Sequence, residues 1–87
     1  MDLRKKVEDV LRRTFDVEEI DLQDDEGVYG VVVSPQFRGM PVLERQTLVE
    51  TALRKGPHKL TKAELRHVLA IAPLTPAEYH AVGPRKK

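Results

Sequence analysis

The chain contains no cysteine. That excludes disulfides, thiol redox chemistry, zinc sites built on thiolates, and any cysteine ligand to an iron–sulfur cluster. Tryptophan is also absent, and the aromatic residues are Phe15, Tyr29, Phe37 and Tyr79 alone, too few for a base-stacking platform. Ser34 is the sole serine, and no glycine-rich phosphate loop is present. Catalysis needs a nucleophile with its base, paired carboxylates in a cleft or a bound metal, so an enzyme is not expected. No apolar run approaches the roughly 20 residues that span a bilayer. The start, Met1 to Lys6, leads into charged helix with no signal-peptide core behind it. A cytoplasmic protein that avoids membranes is expected. Only His58, His67 and His80 remain as soft-metal ligands.

What is present fits one small core. The 87 residues are 40% apolar and 33% charged, the balance of a folded domain. The net charge of +1 hides a segregation. Asp16 to Glu26 holds seven acids and no base, whereas Arg54 to His67 holds Arg54, Lys55, Lys59, Lys62 and Arg66 against Glu64. The chain closes on Arg85, Lys86 and Lys87. Such a dipolar surface suits oriented docking better than indiscriminate binding, although solvated faces of a small domain read the same way.

Leu3, Val7, Val10 and Leu11 recur at helical spacing, with Asp2 placed to cap. Ile20 and Leu22 alternate with acids from Val17 to Asp24, the pattern of a half-buried strand. A turn over Asp24 to Gly27 returns the chain along a valine-rich strand, Val28 to Ser34. A loop bounded by Pro35 and Pro41 precedes a helix from about Pro41 to Lys55, with Leu43, Leu48, Val49, Ala52 and Leu53 expected inside. Thr61 and Glu64 mark a short helical turn within 58 to 65. A third strand, His67 to Ala72, precedes Pro73, and Thr75-Pro76-Ala77-Glu78 reads as the capped start of a last helix. The class is therefore α+β, a three-stranded sheet packed with helices in the order αββααβα. One domain over residues 1–82 is expected, with a basic, disordered tail over 83–87.

Several pieces stand in a telling order: the apolar strand ending Val31-Val32-Val33-Ser34, then the turn Phe37-Arg38-Gly39, then Arg45 opening a helix. His67 heads the last strand, and Thr75-Pro76-Ala77-Glu78-Tyr79 follows. Together they resemble the BolA-like family over roughly residues 3 to 80. The resemblance implies a fold similar to the type II KH fold. It also implies an adaptor or regulator role beside a monothiol glutaredoxin, in iron–sulfur cluster handling or stress response. His67 falls on the family's C-terminal histidine, a ligand when a two-iron, two-sulfur cluster is shared with glutaredoxin; imidazole suits iron when its second nitrogen is held. On the residues alone, a structural histidine at a strand end fits as well. Arg66, His67, Arg85, Lys86 and Lys87 would form the partner surface.

Two departures matter. The family supplies a second ligand, cysteine or histidine, from the loop between its first two strands. Here residues 23 to 29 read Gln-Asp-Asp-Glu-Gly-Val-Tyr. Carboxylates are poor substitutes for soft ligands, and their charge repels an anionic cluster. Weakened cluster ligation follows, with His67 at most the lone ligand and no cofactor bound by the chain by itself. The family's Arg-His-Arg is Arg45-Gln46-Thr47 here, which weakens the alternative, a nucleic-acid-binding transcriptional regulator. That alternative would use Arg38, Gly39, Arg45, Lys55, Lys59 and Lys62, with DNA as partner. A monomer or weak homodimer is expected.

Overall fold

Asp2 opens the first helix. The computed structural model describes residues 2–82, and its elements follow the expected order of helix, strand, strand, helix, helix, strand, helix. Helix α1 (Leu3–Thr14) begins where the Asp2 carboxylate accepts the Arg4 backbone N–H at 3.0 Å, satisfying a donor that a helix start leaves free. Val7, Val10 and Leu11 form its buried stripe. At its end Phe15 turns inward, and its ring lies 5.4 Å from that of Phe37. Phe37 is fully buried, a contribution of about 2–3 kcal/mol that pins the helical turn Pro35–Phe37 to the core.

Strands β1 (Glu19–Asp24) and β2 (Val28–Val33) pair antiparallel. Leu22 is buried and Ile20 half-buried against the core, while Glu19, Asp21 and Gln23 are exposed. The strand starts at Glu19 and not at the expected Val17, because the Val17 N–H turns back to Phe15 O. Gly30 lies opposite Leu22 with φ +153°, and a methyl group there would overlap the carbonyl oxygen of Asp21. Only glycine lets these two strands approach so closely.

Strand β3 (Val68–Leu74) pairs parallel with β2, giving the sheet order β1-β2-β3. Valine-rich β2 is central, as its composition implies. The third strand runs through Pro73, where a stop was expected. An edge strand tolerates proline because one side needs no donor. The pairing slips between Val68 and Ala70, leaving Leu69 without a partner on β2. His67, Leu69 and Ile71 stand at alternate positions, yet they do not share a face there: Leu69 is exposed and Ile71 half-buried.

Helix α2 (Val42–Lys55) packs on α1 and β3, and its stripe differs from expectation. Val49, Ala52 and Leu53 are buried, but Leu43 is 74% and Leu48 40% exposed, while Arg45 is only 6% exposed. Arg45, Val49, Ala52 and Leu53 are spaced i, i+4, i+7, i+8, one face of a helix. Helices α3 (Lys62–Leu65) and α4 (Pro76–Val82) follow. Each starts on the capping box expected of it, Thr61 with Glu64 and Thr75 with Glu78. No helix among the described residues is long and apolar enough to cross a membrane.

Candidate functional site

The connection from α3 to β3 presents His67. Its N–H donates to Glu64 O at 3.0 Å, and its carbonyl accepts the Val28 N–H at 2.7 Å. Both backbone groups are thus fixed, while the side chain is exposed. The second of these bonds joins His67 to the start of β2, so the turn over Asp25, Glu26 and Gly27 lies beside it. That turn is tight: Glu26 has φ +61° and Gly27 φ +139°, and the Asp25 N–H donates to Gly27 O at 3.0 Å. The backbone bond therefore sets the His67 residue beside the turn that carries Asp24, Asp25 and Glu26. Among the described residues no group of three or more histidine, aspartate or glutamate side chains is placed to hold a metal ion. The donor set offers one soft ligand and otherwise hard oxygens, which does not fit an iron–sulfur cluster held by this chain alone.

Basic residues flank this point. Lys55, Lys59, Lys62 and Arg66 are all exposed along the path from the end of α2 to the start of β3. Glu64 is taken up by Lys6, whose Nζ lies 2.8 Å from Oε2 and ties α1 to α3. The hydrogen bond from Lys6, then the Thr61 N–H, hold its carboxyl below the ordinary range. The residues around His67 therefore keep their positive charge uncompensated by that acid. Arg38 and Gly39 are exposed, between the Pro35–Phe37 turn and α2. Arg85, Lys86 and Lys87, the remaining partner-surface candidates, and the tail assigned to 83–87 lie outside the described residues.

Arg45 does not join this surface. Its Nε donates to Met40 O at 2.8 Å and its Nη1 to Pro73 O at 3.2 Å. The same guanidinium grips Glu78 with two bonds, Nη1 to Oε1 at 2.6 Å and Nη2 to Oε2 at 3.0 Å. The paired geometry is what a guanidinium fork and a carboxylate favour. Glu78 is pulled down to about 2 by Arg45 first and by the Thr75 N–H second, and Arg45 is raised in turn by the bond to Glu78. The candidate phosphate contact at Arg45 is thus corrected: its charge is enclosed and paired, and it serves as a bolt between α2, β3 and α4. The sequence does carry the signal, since Arg45 stands on the helical stripe of Val49 and Leu53.

No protein-family model matches the sequence, and no curated protein matches it either. Solved structures do match. BolA1 from Arabidopsis thaliana is 26% identical with a TM-score of 0.71, over 91% of this chain and 98% of that one. A Bol-like protein from Babesia bovis is 29% identical with a TM-score of 0.67, over 91% of each chain. The BolA domain of SufE1 from Arabidopsis thaliana shares the fold at 24% identity and a TM-score of 0.66, over 87% of this chain and 94% of that one. The chain shares its fold with these BolA and BolA-like proteins, and the likeness supports membership of the BolA-like family. Its hairpin turn carries carboxylates and no cysteine or histidine, and the arginine opening α2 is turned into the fold.

Proposed function

We propose that this protein is a BolA-like, non-catalytic adaptor that docks a monothiol glutaredoxin, in iron–sulfur cluster handling or the stress response. His67 stands at the centre of the docking surface. Arg66 lies beside it, and Arg85, Lys86 and Lys87 supply further positive charge. One observation carries the reading: His67, its backbone fixed by two hydrogen bonds and its side chain exposed, follows α3 directly before β3, beside a hairpin that has no second soft ligand. A cluster delivered by glutaredoxin would meet one imidazole and three carboxylates. Docking therefore outlasts cluster sharing, and any bridged cluster is weakly held.

The test is an NMR titration of isotope-labelled protein with a monothiol glutaredoxin from the same cell, with and without its cluster. Shifts around His67 in both titrations support docking. Paramagnetic broadening confined to His67 in the loaded case adds that the imidazole reaches iron. A stable cluster bridging the two proteins with ordinary histidine-ligated spectra would overturn the weak-ligation part. Absence of shifts in both would overturn the whole reading and bring duplex DNA forward as the partner to test.

A further inference from the structure

The sheet order leaves β3 paired on one side only. Alternate residues of a strand direct their peptide groups to the same edge. The Pro73 carbonyl reaches Arg45, away from β2, so the N–H and carbonyl of Ile71 face that same outer edge. The open run is short. Arg45 closes it at Pro73, and the register slip at Leu69 disturbs it at the other end. Such blunting protects an edge against indiscriminate pairing while leaving one extended stretch accessible.

A groove of about 310 Å³ lies along this stretch, between β3 and α2. The two elements run in opposite directions: Arg45 meets Pro73 at one end, while Leu53 and Val68 line the groove at the other. Val49, Leu53 and Ile71 give it apolar walls, with Glu50 midway. Arg54 stands at the end where β3 begins, followed by exposed Lys55. The groove therefore combines an unpaired backbone edge, an apolar wall and a basic end.

We propose that this groove binds an extended peptide by strand addition to the β3 edge, antiparallel to β3, with an acidic C-terminal end held at Arg54 and Lys55. The unpaired peptide groups of Ile71 ask for an extended backbone as occupant. The walls take an apolar side chain. The direction follows from charge: only a segment running against β3 brings its C-terminus to the basic end. Single-stranded nucleic acid would need to pass Glu50, whose carboxylate repels phosphate, with one cation in the lining to compensate. The inference goes beyond the glutaredoxin reading and does not rest on it, because it uses neither His67 nor the hairpin turn.

The experiment titrates the isotope-labelled full chain with the peptide acetyl-Thr-Val-Thr-Val-Glu-Glu, carrying a free carboxylate. The controls are acetyl-Thr-Val-Thr-Val-Lys-Lys-amide and hexathymidylate. The acidic peptide is expected to shift the amides from Leu69 to Ile71 and to slow hydrogen exchange at Ile71. Arg54→Glu, an exposed change that leaves the core untouched, should weaken that binding roughly fivefold, the scale of exposed charge pairs. The same variant should then prefer the lysine peptide. The proposal is overturned if neither peptide moves Leu69 to Ile71, if Arg54→Glu leaves both affinities unchanged, or if hexathymidylate alone moves these amides.

Discussion

Arg45 has five N–H donors in one rigid fork, and the fold engages four of them: on a backbone carbonyl of the loop before α2, a carbonyl of β3, and both oxygens of the first-turn acid of α4. Truncating it removes the donors from both carbonyls. Arg45→Met keeps the apolar stem and should cost about 2 kcal/mol, about 1 kcal/mol for each carbonyl left unpaired; urea denaturation measures it. Arg45→Lys should recover little, since a single ammonium cannot span the three acceptors. A variant as stable as the parent would mean that water replaces the fork at no cost. Glu78 gives the same bolt a pH dependence. Its carboxyl titrates at about 2 in the fold, against an ordinary value of 4.5. The unfolded chain therefore takes up this proton first as pH falls. The stabilisation is present above the ordinary value and is lost progressively as pH drops from about 5 to about 2. Glu64, also lowered, adds in the same direction. Glu78→Gln should be less stable at neutral pH and should lose less stability on acidification than the parent. Equal acid sensitivity of the two would count against Glu78 as the titrating group.

At the level of elements, the close contact of β1 and β2 depends on Gly30. An added methyl group meets the backbone oxygen of Asp21, not a side chain that can move aside, and φ +153° is itself unfavourable for any other residue. Gly30→Ala should destabilise the sheet by roughly 3 kcal/mol or more, read as a lower thermal midpoint; a change below about 0.5 kcal/mol would show that the hairpin opens without loss. The helix starts were legible in the sequence because capping is local: Asp2, Thr61 with Glu64 and Thr75 with Glu78 each act within a few residues. The hairpin and the central place of β2 were legible for a similar reason, from Gly27 and from the run of valines. Two features were not. The buried face of α2 is decided by what α2 meets, so Arg45 displaced Leu43 and Leu48 once Glu78 stood opposite it. The extension of β3 through Pro73 depends on its being an edge strand, which no local pattern states. The position of His67 beside the acidic turn was readable only through the family resemblance, because parallel pairing of β2 and β3 joins residues some forty positions apart.

For the whole molecule, the segregation of charge becomes a matter of geometry once β2 and β3 pair. The acidic hairpin and the basic path from Lys55 to Arg66 are far apart in sequence, yet the bond from the Val28 N–H to the His67 carbonyl makes them neighbours. A partner approaching His67 meets carboxylates on one side and cations on the other, which fixes its orientation more than its affinity. Under the proposed glutaredoxin reading, the same place would bear on cluster ligation. If weak ligation follows from the missing soft ligand, supplying one should strengthen it. Glu26 is the position to change: it already holds φ +61°, a conformation that histidine adopts more readily than most residues. Glu26→His removes a repelling charge and adds a second imidazole beside His67. In a mixture with cluster-loaded monothiol glutaredoxin, the variant should hold the bridged cluster longer against a chelator and shift its visible absorption, while apo-glutaredoxin binds about as before. The added His67→Ala change should cancel the gain. If Glu26→His leaves cluster lifetime and spectrum unchanged while apo-glutaredoxin still docks, the hairpin is not what limits ligation, and His67 serves the interface without touching iron.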